Sequence, residues 1–388
     1  MTRGADHCDV FIAGAGPAGS TAAYLLAKQG WNVHLCDRTE FPRPKLCAGL
    51  LTWKTMDLLQ AVFQATPSDL TAQGVICHTA HDYRIYRGPA ELARGRLNYP
   101  FHFVSRLTYD RYWLEMARQA GARTSLGDGV ATVDPDAGMV TLQNGRRIWA
   151  KVIIGADGIW STVRRSILNE GWERRYWRPQ LAMTIETRRD LPMDAAPPRY
   201  AALHFGFVPW GYAWTFPQPR QQILGMACLT YKRHASISNR FEDFLASLGI
   251  PRHETAAWQG YPLPYGNYIT SPGRGSVLLV GDACGLADPL LGEGIFYAHR
   301  SAVIAANAII TSRRHLENVA VRYCRALDRN ILWELRWIKF YRNLLFIGGQ
   351  RRRFRGLQLL LRLLPHRLEA AVHGHLPFKS LALPVSGR

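Results

Sequence analysis

Three glycines and one acid near the start of the chain are spaced for dinucleotide chemistry. Gly14-x-Gly16-x-x-Gly19, with Pro17 and Ala18 inside it, lies between an apolar run at 8–13 (CDVFIA) and the helix-like STAAYLLAKQG. In that context the first glycine makes a tight turn, the second lets backbone approach a pyrophosphate, and the third lets helix and strand pack closely. The helix start adds free N–H groups and a partial positive charge for the phosphates. Asp37 closes a second apolar run, WNVHLCD, 18 residues after Gly19, where a carboxylate can accept hydrogen bonds from ribose hydroxyls, and Arg38 follows it.

Two further stretches repeat the theme of a strand running into a glycine turn. One is KVIIGADG (151–158), ending in Asp157-Gly158 and followed by Ser161, Val163 and Arg164. The other is SVLLVGDACG (276–285), with Gly281-Asp282 and then Pro289, followed by Gly292-Glu293-Gly294 and a helix-like run from Ile295. Taken with the first fingerprint, these resemble the ordered motifs of the glutathione-reductase-type FAD superfamily, in its aromatic-hydroxylase-like branch. The resemblance covers most of residues 8–312. It implies FAD as cofactor, a ribityl contact from the Gly281-Asp282 motif, and an arginine facing the flavin at Arg106. A helix opening at Gly292–Ile295 would turn its N–H groups toward the flavin's N1/C2=O edge, where reduced flavin is negative. Glu293 there reads as a helix-start acid.

Pro209-x-x-Tyr212-x-Trp214-x-Phe216-Pro217 resembles the PxxYxWxFP signature of the geranylgeranyl reductase family. In that family this strand lines a tunnel for an isoprenoid chain. Alternation alone puts Tyr212, Trp214 and Phe216 on one face of a strand, a flat aromatic wall suited to a polyene or, equally, a stripe of core aromatics. The stretch is also similar to the WxWxIP of flavin halogenases, but the first Trp and the Ile are absent. Arg43, Lys45, Cys47, Ala48 and Gly49 resemble the family's Lys-x-Cys-Gly-Gly turn, with Ala48 in a glycine's place. That resemblance puts Cys47 near the flavin, with Lys45 and Arg43 against ring or pyrophosphate. A neighbouring cation would make Cys47 the better proton donor or thiolate; a small buried apolar cysteine is the plainer reading.

The resemblance therefore implies a reductase saturating C=C bonds of an isoprenoid or similar lipophilic substrate. Cys47 and Tyr212 are its candidate acids, and NAD(P)H or a small electron carrier its donor. Two other readings share the FAD motifs: a monooxygenase hydroxylating an aromatic or a protein side chain, and a flavoprotein acting only as an electron-transfer partner.

The elements that must position these residues follow from periodicity. Strand, turn, helix and strand over 8–37 make a parallel crossover of about thirty residues. Residues 106–120 read as a helix burying Leu107, Leu114 and Met116. Turns at Pro135–Gly138 and Asn144-Gly145 mark antiparallel strands between 130 and 155. The fold expected is α/β: a doubly wound Rossmann-type FAD-binding domain with an inserted, mostly antiparallel β-sheet substrate domain and a C-terminal helical arm. The boundaries expected are 1–75, 106–174 and 271–312 for the FAD domain, 76–105 and 175–270 for the substrate domain, and 313–388 for the arm.

Charge is unevenly spread. Of a net +19, residues 313–388 carry +12, from 16 Lys+Arg against 4 Asp+Glu. Trp333, Trp337, Phe340 and Leu344 fall on one helical face, with Arg329, Arg336, Lys339 and Arg342 between them and Arg351–Arg355 beyond. This composition suits a helix lying on an anionic membrane, or aromatics packed on the catalytic body. Nucleic acid has no motif behind it. Seven scattered cysteines without a CxxC pair suggest reduced thiols and no metal site. His78/His81 and His373/His375 lack partners at metal spacing and read as loop histidines. No apolar stretch reaches the ~18 residues of a spanning helix. A cytoplasmic protein, resting peripherally on a membrane, is the expectation.

Overall fold

The structure is a computed structural model that describes residues 6–168, 170–194, 196–229, 236–351 and 354–382. The chain forms two compact units, one from Met1–Lys45, Arg106–Pro179 and Pro264–Trp333, the other from Leu46–Ser105, Gln180–Leu263 and Glu334–Arg388. Residues 46–75 thus group with the second unit and 313–333 with the first, where the expected bounds put 46–75 in the FAD domain and 313–333 in the arm.

The first unit is built on parallel strands whose central members carry runs apolar on both faces, as burial between helix layers demands. Strand Asp6–Ala13 pairs in parallel with Val33–Asp37 on one side and Arg147–Gly155 on the other. Val277–Leu279 pairs with Arg147–Gly155 and Arg123–Leu126 with Val33–Asp37, both parallel. Val10, Phe11, Ile12, Val152, Ile153 and Ile154 are fully buried. Strands Val130–Asp134 and Met139–Leu142 form the expected antiparallel extension, joined to Arg147–Gly155 through the Asn144-Gly145 turn.

Helix Arg106–Gln119 forms where expected, but its buried face is Arg106, Tyr109, Asp110, Trp113, Leu114 and Ala117. Leu107 is exposed, because the polar Arg106–Asp110 pair takes the inward stripe. Three helices are pinned by one buried histidine. His299 meets Thr21 Oγ1 at 2.6 Å through Nδ1 and Tyr109 OH at 2.8 Å through Nε2, and burial drives its pKa down to about 3.

The second unit is a mostly antiparallel sheet in which Tyr200–Phe205 pairs in parallel with Ile76–Arg87. His78 and His81 lie on that latter strand rather than in a loop. One sheet face packs on helix Ile237–Ser247: Ile185, Ala213, Leu224 and Met226 meet Phe241, Phe244 and Leu245 in a buried cluster. Helices Trp333–Arg351, Arg355–Leu363 and Pro365–Val372 also belong to this unit. Leu335, Ile338 and Phe346 are fully buried, while Trp337, Phe340 and Leu344 are exposed. Of the basic run at 351–355, Arg352 and Arg353 lie outside the described residues. Among the described residues no helix is long and apolar enough to cross a membrane, and no cluster of three or more His, Cys, Asp or Glu could hold a metal ion.

Candidate functional site

The first unit gathers its glycine turns at the C-terminal ends of the parallel strands, where open α/β sheets bind ligands. Gly14 leaves strand Asp6–Ala13 with φ +99°, and a Cβ there would lie 2.3 Å from Ala156 O. A Cβ on Gly19 would lie 1.8 Å from Gly14 O, so both glycines are required by packing of the turn against its own helix and the Ala156 strand end. Gly16 differs: a Cβ there would meet only the tip of Arg43, at 3.5 Å. Open space thus lies over the start of helix Pro17–Lys28, which no side chain caps. This fits a pyrophosphate seated on uncapped N–H groups.

Asp37 is buried at the end of its strand. One carboxylate oxygen accepts from Ala15 N at 2.8 Å, and the other accepts from Thr39 N and Thr39 Oγ1 at 3.1 and 2.8 Å. Arg38 beside it is exposed. Arg43 spans two acids, 4.0 Å from Asp37 and 3.4 Å from Asp110. Arg106 grips the same Asp110 with two bonds of 2.6 and 2.7 Å, in a buried bidentate pair. Arg106 therefore fixes the acid that holds Arg43.

The 157–164 turn is bound to the 281–285 turn from within. Half-buried Asp157 accepts from Ser161 Oγ and from Thr162 N and Val163 N; desolvation raises its pKa despite those bonds. Gly158 opens a short turn at φ +74°. Fully buried Arg164 donates to Ile159 O at 2.8 Å, to Ala283 O at 3.0 Å and to Glu173, and lies 3.9 Å from the Trp177 ring centroid. Asp282 meets Lys45 at 3.3 Å. Asp288, just before Pro289, accepts from Leu290 N and Leu291 N at 2.7 Å each, closing the loop that carries Gly292 (φ +72°) to the N-cap Gly294. Helix Ile295–Thr311 begins there without a side-chain cap. A Cβ on Gly294 would lie 3.5 Å from an Asp282 carboxylate oxygen.

In the second unit, Gly49 has φ +71° and packs against Val104 O, 2.1 Å from where its Cβ would stand. Cys47 is half-buried, and its Sγ accepts from Gly49 N at 3.4 Å; Ala48 between them is half-buried. Tyr212, Trp214 and Phe216 occupy one face of strand Gly211–Gln218, opposite the helix-covered face. Their rings run in sequence, 6.1 and 6.3 Å between centroids, and Phe205 and Phe103 extend the row at its two ends.

The sequence reading missed His299, Asp110 and the partners of Arg164. Each is an ordinary polar residue inside a helix-like or turn pattern, and only tertiary pairing reveals its task.

Comparison with known proteins decides what this assembly holds. An FAD binding domain profile matches residues 7–193. The chain is 28% identical to the geranylgeranyl diphosphate reductase of Rhodobacter capsulatus over 329 residues, 82% of this chain and 79% of that protein. It is an FAD-dependent oxidoreductase related to the geranylgeranyl reductases. The menaquinone reductase of Mycobacterium tuberculosis is 28% identical over 328 residues, covering 78% of this chain and 77% of its own. The fold is that of a geranylgeranyl bacteriochlorophyll reductase-like protein from Thermoplasma acidophilum, with a TM-score of 0.75 at 21% identity over 87% of each chain.

Proposed function

We propose that this oxidoreductase saturates C=C bonds of an isoprenoid or similarly lipophilic substrate. The observation that carries this reading is the aromatic face of the second unit. Phe205, Tyr212, Trp214, Phe216 and Phe103 form a continuous, buried apolar row on the side of the sheet away from helix Ile237–Ser247, with Phe346 and Phe354 packed against Phe205 at one end. Aromatic faces take up flat, unsaturated chains well because ring and polyene meet over a large apolar area.

Bound FAD, once reduced, supplies the hydride equivalent that such a reaction needs. The chain's own residues divide the remaining work. N–H groups of the Gly14–Gly19 turn, including those of Gly16 and Ala18 beside Pro17, hold the pyrophosphate with Arg43. Asp37 and Arg38 serve the adenosine ribose side, and Asp282 and Pro289 the ribityl chain. The uncapped helix start at Gly292, Gly294 and Ile295 steadies negative charge on the ring. Cys47, with Tyr212, is the candidate proton source, and Lys45, Ala48 and Gly49 shape its turn. The donor of electrons is NAD(P)H or a small carrier. The test is Tyr212→Ala and Trp214→Ala in protein that retains its full FAD content: both should lose lipid-dependent oxidation of the reduced protein. Unchanged rates would leave only an electron-transfer role.

A peripheral membrane contact is the second part of the proposal. Trp337, Phe340, Leu344 and Ile347 are 37–60% exposed on one side of helix Trp333–Arg351, with Arg336 exposed beside them. Such an apolar stripe among cations lies well in an anionic interface. Phe340→Glu with Leu344→Glu should abolish flotation with phosphatidylglycerol vesicles, and flotation at parent levels would dispose of the contact.

A further inference from the structure

One stretch of the first unit carries positive charge and aromatic rings onto the surface. Residues 160–178 hold five arginines against two glutamates. Arg165, Arg174, Arg175 and Arg178 are exposed, and so are Trp160 and Tyr176, at 41% and 47%. Glu173 is buried; its carboxylate accepts from Arg164 at 2.9 Å and lies 3.9 Å from Arg178. Arg164 donates as well to Ile159 O at 2.8 Å. One guanidinium thus ties the turn that bears Trp160 to the turn that bears Tyr176, and the cations between them share one local surface.

Tyr176 leads inward. Its ring centroid lies 6.1 Å from that of Trp172, which lies 6.4 Å from that of Trp177. Trp177 is fully buried, with the Arg164 guanidinium 3.9 Å over its ring, and it packs on Gly285, where a Cβ would stand 3.0 Å from Cζ3. Arg164 also donates to Ala283 O at 3.0 Å. Three rings therefore run from the surface to the back of the Gly281–Gly285 turn, to which the ribityl chain is assigned above. Residues Glu173–Trp177 make a π-helical turn, a rare geometry that is frequent at functional positions. Within it the consecutive residues Tyr176 and Trp177 face outward and inward.

We propose that this surface docks a small acidic protein that carries single electrons, and that those electrons reach FAD past Tyr176, Trp172 and Trp177. Arginine and aromatic rings are the residues that protein interfaces favour. A patch of one sign steers an oppositely charged partner to its site, and electron-transfer encounters need only a small contact area. A lipid surface fits less well. Among the described residues of 160–178 the exposed large apolar side chains are Trp160 and Tyr176 alone, while Val163 and Trp177 turn inward, so the apolar stripe of an interfacial helix is missing from this segment. Two carriers docking in turn supply the two electrons, and water the proton, that convert FAD to its reduced anion; each carrier leaves oxidised by one electron. This inference rests on the reading that a carrier reduces the flavin from outside, and it is independent of the lipid substrate.

The test uses FAD-loaded protein with a plant-type [2Fe–2S] ferredoxin as the probe, reading binding by interferometry and flavin reduction by anaerobic stopped flow. Parent protein should bind the ferredoxin at low salt and lose it as salt rises, because exposed charge contacts are screened. Arg174→Glu with Arg175→Glu should weaken binding about tenfold, as two exposed charge pairs lost together would, while reduction by dithionite keeps the parent rate. Arg94→Glu with Arg96→Glu, an equal change of charge on exposed residues of the second unit, should bind as the parent does. Trp172→Leu should bind the ferredoxin normally yet accept its electrons at a reduced rate. Binding unmoved by the Arg174 and Arg175 changes, or weakened equally by those at Arg94 and Arg96, overturns the docking face. A Trp172→Leu protein reduced at the parent rate overturns the aromatic route. If the Arg174 and Arg175 changes lower flotation with phosphatidylglycerol vesicles and leave ferredoxin binding intact, the face is a lipid contact and the proposal falls. If docking holds but isoprenoid alcohols never reoxidise the flavin, the reductase reading fails and this one stands.

Discussion

Gly14 and Gly16 stand two residues apart, yet alanine should harm the protein in different ways at each. Gly14 holds φ +99°, and its new Cβ would stand 2.3 Å from the backbone oxygen of Ala156, an atom that cannot rotate away. Left-handed strain costs about 1–2 kcal/mol, and forcing apart a strand end adds a similar or larger amount, so Gly14→Ala should lose about 3 kcal/mol of stability. At Gly16 the nearest atom is the guanidinium tip of Arg43, 3.5 Å off, an ordinary van der Waals contact. Gly16→Ala should therefore unfold within about 0.5 kcal/mol of the parent. Its methyl group, however, stands where the pyrophosphate must approach the backbone. Losing one or two charge-assisted hydrogen bonds of about 1.5–3 kcal/mol each predicts weaker FAD binding by about one to four orders of magnitude. Urea unfolding of apoprotein, paired with flavin-fluorescence titration of FAD, separates the two effects. A Gly16→Ala protein that binds FAD as the parent does would refute the placement of the pyrophosphate over this turn.

Acid should weaken the fold through buried histidines. His299 is held near 3, and His34, His102, His204 and His373 near 4, all by burial first. Their unfolded value is about 6.5, so the unfolded state binds protons first; stability complete above pH 6.5 should fall by several kcal/mol towards pH 4. Urea midpoints at pH 7.5, 6 and 5 check the direction, and a flat profile would contradict it. His299→Phe removes one titrating group and both hydrogen bonds. It should cost about 2–4 kcal/mol at pH 7.5 and show a shallower acid slope in the same assay. Asp110→Asn should loosen Arg43 as well as Arg106, raising the FAD dissociation constant about tenfold in the titration above.

How much of this was legible beforehand follows from the range of the interactions. The Gly14–Gly19 turn, the 144–145 hairpin and the helix from Ile295 are set by local backbone demands, so their residues announce them. The inward stripe of 106–119 misled because a buried Arg106–Asp110 pair took places that a hydrophobic pattern assigns to leucine. The contacts of Arg164 with Trp177 and Ala283 were invisible for another reason. These partners are 13 and 119 residues away in sequence, and only the tertiary fold makes them neighbours. Residues 46–75 group with the second unit through the short strand Leu50–Leu51, which pairs with Phe103 and His102, a contact no local pattern encodes.

The most direct test of the account is anaerobic. The bound flavin is reduced chemically without oxygen, excess reductant is removed, and an isoprenoid alcohol is added while the flavin absorbance near 450 nm is followed, about where oxidised flavin absorbs. The account predicts that the oxidised spectrum returns, with one equivalent of lipid product two hydrogens heavier by mass spectrometry. A flavin that stays reduced until oxygen is admitted, with product gaining an oxygen atom, would contradict it.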